Sequence, residues 1–294
     1  MVATDSMYEI IKGLMLPLAI HSWGGLGSQL FTANLVLKLQ LKYPSRRIKV
    51  FLHTSGFTRR ELEFDFTALN IEVTQVEDFN LNEETSHPIN SMKITKNSFL
   101  SLMKPIASKI LLKCNLLNNA NNDADFDAIK PWTLAIRGHY TRLSIDAIRA
   151  RRLYEVVYDE KSFRNKEINA YVIHCRLGDL LLLGPKMPVN AQRLDALLGE
   201  LEINPINTRL LTDSTLSEFI EYAATTKYLL FTQFANIDSI STLQRCISAN
   251  EFIGTTAKLS IWSAIFRYFL FNQKSYLPKE LSWISSSGLK AEWY

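Results

Sequence analysis

The chain has 294 residues, 47% of them hydrophobic and 21% charged. These are globular proportions, and they exclude a disordered, collagenous or coiled-coil chain. The net charge of +4, from 33 basic and 29 acidic residues, suits a protein that handles phosphates and is too weak to mark a nucleic-acid binder.

At roughly 150 residues per domain the length predicts two domains, 1–150 and 151–294. The first half opens with an apolar strand over 16–20 (LPLAI) and a glycine-rich turn. A helix follows, carrying Leu30, Leu35, Leu37 and Leu41, with Pro44 past its end. Residues 48–53 and 71–76 read as strands, and 91–117 as mostly helical with a break at Pro105. The asparagine-rich 115–127 reads as a loop, 133–137 as a short strand and 144–158 as a helix. A second alternation starts at 170–175 (AYVIHC). Strands are predicted at 209–211, 228–231 and 251–253, and helices at 190–202, from 214, at 238–249 and at 259–271. Such alternation predicts parallel sheets with ligands at the carboxyl ends of the strands.

Cys114, Cys175 and Cys246 are widely spaced and odd in number, which indicates neither a disulfide framework nor a zinc site and suits a reducing compartment. The apolar run at 14–20 is short for a leader, and no stretch reaches the roughly 18 residues of a membrane span. The expected location is the cytoplasm, with at most peripheral contact at the inner face of a membrane.

Four constellations fall at predicted strand ends. Gly24-Gly25-Leu26-Gly27-Ser28-Gln29 has glycines that permit close backbone approach and a helix start that faces anions, without a Walker lysine. His174-Cys175-Arg176-Leu177-Gly178-Asp179 offers an arginine fork for phosphate, with Asp179 placed to orient Arg176 or cap the next segment. Asp213-Ser214 reads first as a helix N-cap. Asp238 precedes a helix, and Gly254-Thr255-Thr256-Ala257-Lys258 then leads into another, Ser260-Ile261-Trp262, a start that presents backbone amides, hydroxyls and a lysine to an anion; the alternative is a capped helix with Lys258 exposed, and Trp262 is expected in the core.

Two other readings compete. Asp123-Ala124-Asp125 has the spacing of a metal-chelating pair beside a diphosphate, although it sits in the asparagine-rich stretch. Arg149, Arg151, Arg152 and Lys161 form a basic stretch that reads as a solvated face, or as a contact for anionic lipid. For a general base the residue types on offer are His21, His139 and Asp65.

In combination the motifs resemble those of a known family. His174, Arg176, Gly178 and Asp179 are similar to the HxRxGD motif of fucosyltransferases, and GGLGSQLF resembles the GGLGNQLF stretch of the α-1,2-fucosyltransferases, glycosyltransferase family 11. Arg137-Gly138-His139-Tyr140, LLTDS and the region from Asp238 to Ala264 resemble further segments of that family in the same order. The chain departs from the pattern at Ser28, where the family has asparagine, and at Leu177, where a second arginine is common.

The resemblance implies an α/β fold of two facing Rossmann-like domains (GT-B-like), with the acceptor on the first and the nucleotide sugar on the second. It implies an inverting, metal-independent glycosyltransferase with no cofactor. The donor would be GDP-fucose, or another nucleotide sugar such as dTDP-rhamnose, and the acceptor a glycan, lipid-linked or not, in surface polysaccharide synthesis. The chain would act alone or as one module of a larger enzyme, or as an inactive glycan- or nucleotide-binding module. Arg176 would hold the pyrophosphate and His174 the nucleotide, with Asp179 and Asp213 beside them. Asp238 would meet the base or ribose, and Thr255, Thr256 and Ser260 the phosphates. Gly25 and Gly27 would bring their loop to the cleft, where Ser28 and Gln29 meet sugar or diphosphate, and Arg176 would be catalytic, with His21 or His139 joining it by residue type alone.

Overall fold

A computed structural model describes residues 17–54, 61–76, 109–158, 171–183, 188–287 and 289–294. The chain divides into two compact units between Ser144 and Ile145. Each is built on a wholly parallel sheet, so the α/β class expected from strand–helix alternation holds.

In the first unit β1 (Leu18–Trp23) alternates strictly. Leu18, Ile20 and Ser22 are buried, and Ser22 Oγ lies 2.7 Å from Thr32 Oγ1 of helix α1 (Leu26–Lys42), which covers that face. Ala19, His21 and Trp23 project to the other face and stay half-buried. The strands β2 (Ile48–His53), β3 (Glu72–Val76), β4 (Leu117–Asn119) and β5 (Ala135–Arg137) complete a sheet of order β3-β2-β1-β5-β4. The order reverses at β1, so its carboxyl end is a switch point, where open α/β sheets take ligands.

The stretch 115–127, expected as a loop, contains β4 and a helix, α2 (Asp123–Ala128). Its asparagines act as structural punctuation: Asn115 takes a left-handed backbone at φ 54°, and Asn122 caps α2 by accepting from Asp125 N at 2.9 Å. Most of the helix expected at 91–117 lies outside the described residues.

The second unit runs α3 (Ala147–Val157), β6 (Tyr171–His174), α4 (Gly178–Leu183), α5 (Ala191–Glu200), β7 (Thr208–Leu211), α6 (Leu216–Ala223), β8 (Gln233–Ala235), α7 (Ser239–Ser248), β9 (Glu251–Gly254), α8 (Lys258–Phe271), β10 (Tyr276–Leu277) and β11 (Glu292–Trp293). Its sheet order is β11-β10-β9-β6-β7-β8, with the switch point between β6 and β9. A 3-10 turn at Leu229–Phe231 replaces the strand expected at 228–231, and β8 follows it. The cause is Asp195, whose carboxylate accepts from the N–H groups of Lys227, Tyr228 and Leu229 and pins the segment as a turn.

The core behind β9 is α8. Trp262 is fully buried, as its place in an apolar helix predicts, and its ring packs 5.3 Å from that of Phe266. One turn on, Arg267 is also fully buried. Its guanidinium donates to the carbonyls of Cys246, Ile247, Ala249, Asn250 and Lys274, and so ties down the C-terminal end of α7.

Candidate functional site

Three strand ends come level at the switch point of the second sheet: His174 stands opposite Leu211 of β7 on one side and Gly254 of β9 on the other. The loops leaving them are laced together. Thr255 N donates to His174 O at 3.1 Å, and Arg176 N donates to Thr255 Oγ1 at 3.2 Å. The N–H groups of Leu177 and Gly178 both donate to Asp213 Oδ1, at 2.9 and 3.0 Å.

Asp213 is therefore not the N-cap its position suggests. Thr215 caps α6 in a reciprocal box with Glu218, and Asp213 holds the HxRxG loop from across the sheet. It also provides the negative charge beside Arg176: Oδ2 lies 3.9 Å from Arg176 Nε, an ion pair too long for a hydrogen bond. The side chain of Asp179, the residue expected in that role, lies outside the described residues.

Helix α8 begins at the same place. Its N-cap position, Ala257, has no side chain to offer, so the first turn of a 14-residue helix presents backbone N–H groups without a side-chain cap. Lys258 is its first residue. It is half-buried, not exposed as the capped-helix alternative has it. Burial first, and then the charge of Arg176, push its ammonium down to about 8. Thr255 and Ser260 are buried and Thr256 half-buried in the same turn.

His174 is buried, with Nδ1 2.7 Å from Ser260 Oγ. Burial pushes its imidazole down to about 4, outweighing the pull of Asp213, so the ring is neutral at physiological pH. Gly254 is obligatory for this contact, because a Cβ there would stand 2.7 Å from the Cβ of Ser260. Arg176, Lys258, His174, Thr255, Ser260 and Asp213 thus share one locality. Asp238 follows β8 and N-caps α7, accepting from Ser241 N at 2.8 Å. Burial raises its carboxyl, and the hydrogen bonds from Ser241 outweigh that and hold it below the usual value.

The glycine loop of the first unit behaves differently. Gly24, at φ 97°, is the residue that needs to be glycine, while Gly25 occupies the N-cap position of α1 and Gly27 is buried inside it. The α1 start is already met from within the chain: Leu26 N donates to Glu63 Oε2. The sequence places Gln29 against sugar or diphosphate, but its amide is saturated internally. Nε2 donates to the carbonyls of Gly24 and Glu61, and Oε1 accepts from Glu63 N and Phe64 N. Ser28 is half-buried one turn beyond Gly24.

On the face of β1 opposite α1, His21 Nδ1 lies 2.8 Å from His53 Nε2. His21, Trp23, Phe51 and His53 form a ladder of stacked rings, with Trp23 and His53 centroids 4.4 Å apart. The His53 partnership is invisible in sequence, since the two stand 32 positions apart. Tyr140, at φ 58° and fully buried, donates its hydroxyl at 2.5 Å to His21 O and anchors that strand. His139 is exposed. Asp65 caps a 3-10 turn through Thr67.

Asp123 pairs with Lys38 at 2.5 Å and accepts from Ser144, and Asp125 accepts from Asn121 N, so both carboxylates serve the packing of α2. Of the basic stretch, Arg149 is buried and paired with Asp146 at 2.9 Å, Arg151 and Arg152 are exposed, and Lys161 lies outside the described residues. Among the described residues no cluster of three His, Cys, Asp or Glu could hold a metal ion, and no helix is long and apolar enough to cross a membrane.

No protein-family model matches the chain, and no curated protein matches it in sequence. Among solved structures it is similar to a glycosyl transferase family 9 protein from Veillonella parvula DSM 2008, at 10% identity over 90% of this chain and 81% of that one, with a TM-score of 0.45. It is similar to NodZ α-1,6-fucosyltransferase crystallised with GDP, at 8% identity over 84% and 91%, TM-score 0.42. It is also similar to a UDP-N-acetylglucosamine 2-epimerase from Listeria monocytogenes, at 9% identity over 92% and 82%, TM-score 0.42.

Proposed function

We propose that the chain is a glycosyltransferase whose second unit holds a nucleoside-diphosphate sugar, with GDP-fucose as donor and a surface-polysaccharide glycan as acceptor. The observation that carries this is the pairing of Arg176 with a half-buried Lys258 at the start of α8, at a sheet switch point. Arg176 and Lys258 put two cations in one partly desolvated place, a chemistry that suits an anionic ligand. A diphosphate has the charge and the oxygen atoms to meet both, together with the first N–H groups of α8.

In the reaction the acceptor oxygen bonds to the anomeric carbon as the bond from that carbon to the diphosphate oxygen breaks, with inversion. The leaving charge develops on the diphosphate, where Arg176, Lys258 and the α8 amides stabilise it. The acceptor proton passes to a general base.

The test is a thermal-shift panel of GDP, UDP, dTDP, CMP and their sugar conjugates, with and without EDTA. A ligand at 100 times its dissociation constant adds about 2.7 kcal/mol. A GDP-selective shift that survives EDTA and disappears in Arg176→Ala is expected. A dTDP-selective shift replaces the donor with one such as dTDP-rhamnose. No shift with any nucleotide overturns the reading.

A further inference from the structure

Ser260 Oγ is fully buried and has two partners among the described residues: it accepts from Thr255 N at 3.1 Å and lies 2.7 Å from His174 Nδ1. A hydroxyl has one hydrogen to donate, and a buried one left unpaired is costly. Thr255 N is a donor and cannot receive it, which leaves His174 Nδ1 as the acceptor. If Nδ1 accepts, the neutral ring must carry its hydrogen on Nε2.

The other nitrogen has a distinctive position. His174 is only 6% exposed, and no partner for Nε2 is found among the described residues. It sits at the carboxyl end of β6, at the switch point, beside the loop that carries Arg176.

We infer that Ser260 is a positioning residue that locks His174 as its Nε2–H tautomer, making the ring an uncharged hydrogen-bond donor toward a lone-pair oxygen or nitrogen of the bound nucleotide. The inference rests on the nucleotide-binding reading for what the ring meets, and on the Ser260 contact alone for which nitrogen carries the hydrogen. A neutral donor next to Arg176 adds direction without adding a third positive charge. Burial supports the arrangement, since it disfavours the imidazolium that would donate from both nitrogens.

The experiment is nitrogen NMR of the full chain labelled with ¹⁵N-histidine, with His174 assigned by its loss in His174→Gln. The expected result is a pyrrole-type Nε2 and a pyridine-type Nδ1 from pH 6 to 8, converting to a tautomer mixture in Ser260→Ala. A wild-type ring with its hydrogen on Nδ1, or an imidazolium at pH 6, overturns the proposal whether or not any nucleotide binds. A double-mutant cycle on GDP affinity separates positioning from packing. Ser260→Ala should weaken GDP about 3- to 10-fold in the wild-type background, the range of one hydrogen bond. It should have no effect in His174→Gln, whose amide donor cannot tautomerise. An equal loss in both backgrounds would mean that Ser260 acts only through packing.

Discussion

The carboxylate of Asp213 occupies the space a side chain on Gly178 would need: a Cβ there would stand 3.0 Å from Asp213 Cγ and Oδ2 and 2.9 Å from its carbonyl oxygen. The glycine of the HxRxG run is therefore required by close approach of another strand end. Gly178→Ala must push Asp213 away and release the N–H groups of Leu177 and Gly178. A loss of about 1–3 kcal/mol is expected, of the size of overpacking a tight site. Nucleotide affinity should fall with it, because the same loop carries Arg176. Urea unfolding and GDP titration of one preparation check both, and an unchanged midpoint would show that Asp213 does not hold the loop.

Gln29 provides the opposite case, a residue that reads as ligand-binding and is structural. Its four hydrogen-bonding positions tie the glycine loop to residues 61–64. Gln29→Ala leaves two N–H groups and two carbonyls short of a partner in a buried place. About 2–3 kcal/mol of stability should be lost, within the usual range for breaking a buried network. Nucleotide preference in the thermal-shift panel should be unchanged. A shift in preference at full stability would return Gln29 to the ligand.

Arg267 is a buried cation held by hydrogen bonds to backbone carbonyls. Arg267→Met fills the volume but leaves the carbonyls of Ala249 and Asn250 without their donor. We expect a loss of at least about 3 kcal/mol, since hydrogen bonds to charged groups are worth roughly 1.5–3 kcal/mol each. Trp262→Ala, one turn earlier, should cost about 3–5 kcal/mol through the cavity it opens. Chemical denaturation of the two variants gives both numbers, and a change below about 1 kcal/mol in either would contradict its burial.

What the sequence made legible were features set by short-range chemistry. Alternation of strand and helix gave two parallel sheets. His174, Arg176 and Gly178 stood out because charged groups and a glycine close an apolar strand. What stayed hidden depends on distant segments meeting. Glu63 meets the start of α1 from 37 residues away, Asp213 reaches the Leu177 amide across 36, and His53 reaches His21 across 32. Strands of two residues, β10 and β11, are too short to show a period. The half-burial of Lys258 stayed hidden too, because nothing local says that its helix starts inside the switch point.

Lys258 gives the pH dependence its sign. Its ammonium sits near 8 in the folded chain, against 10.5 for the ordinary group, because burial and then Arg176 disfavour the charge. Between those values the unfolded chain binds the extra proton, so stability should rise with pH from about 8 to 10.5, and the destabilisation is complete below 8. Anion binding runs the other way. A diphosphate prefers the protonated ammonium, so GDP affinity should be flat below pH 8 and fall as pH rises above it. His174, neutral down to about 4, adds no dependence across this range. In Lys258→Met the fall above pH 8 should vanish and affinity at pH 7 should drop by about tenfold, the value of roughly one charge-assisted contact. Calorimetric titration of GDP from pH 7 to 10 with both proteins decides it. An identical pH profile in the two would remove Lys258 from the site and leave Arg176 to meet the anion with the α8 amides.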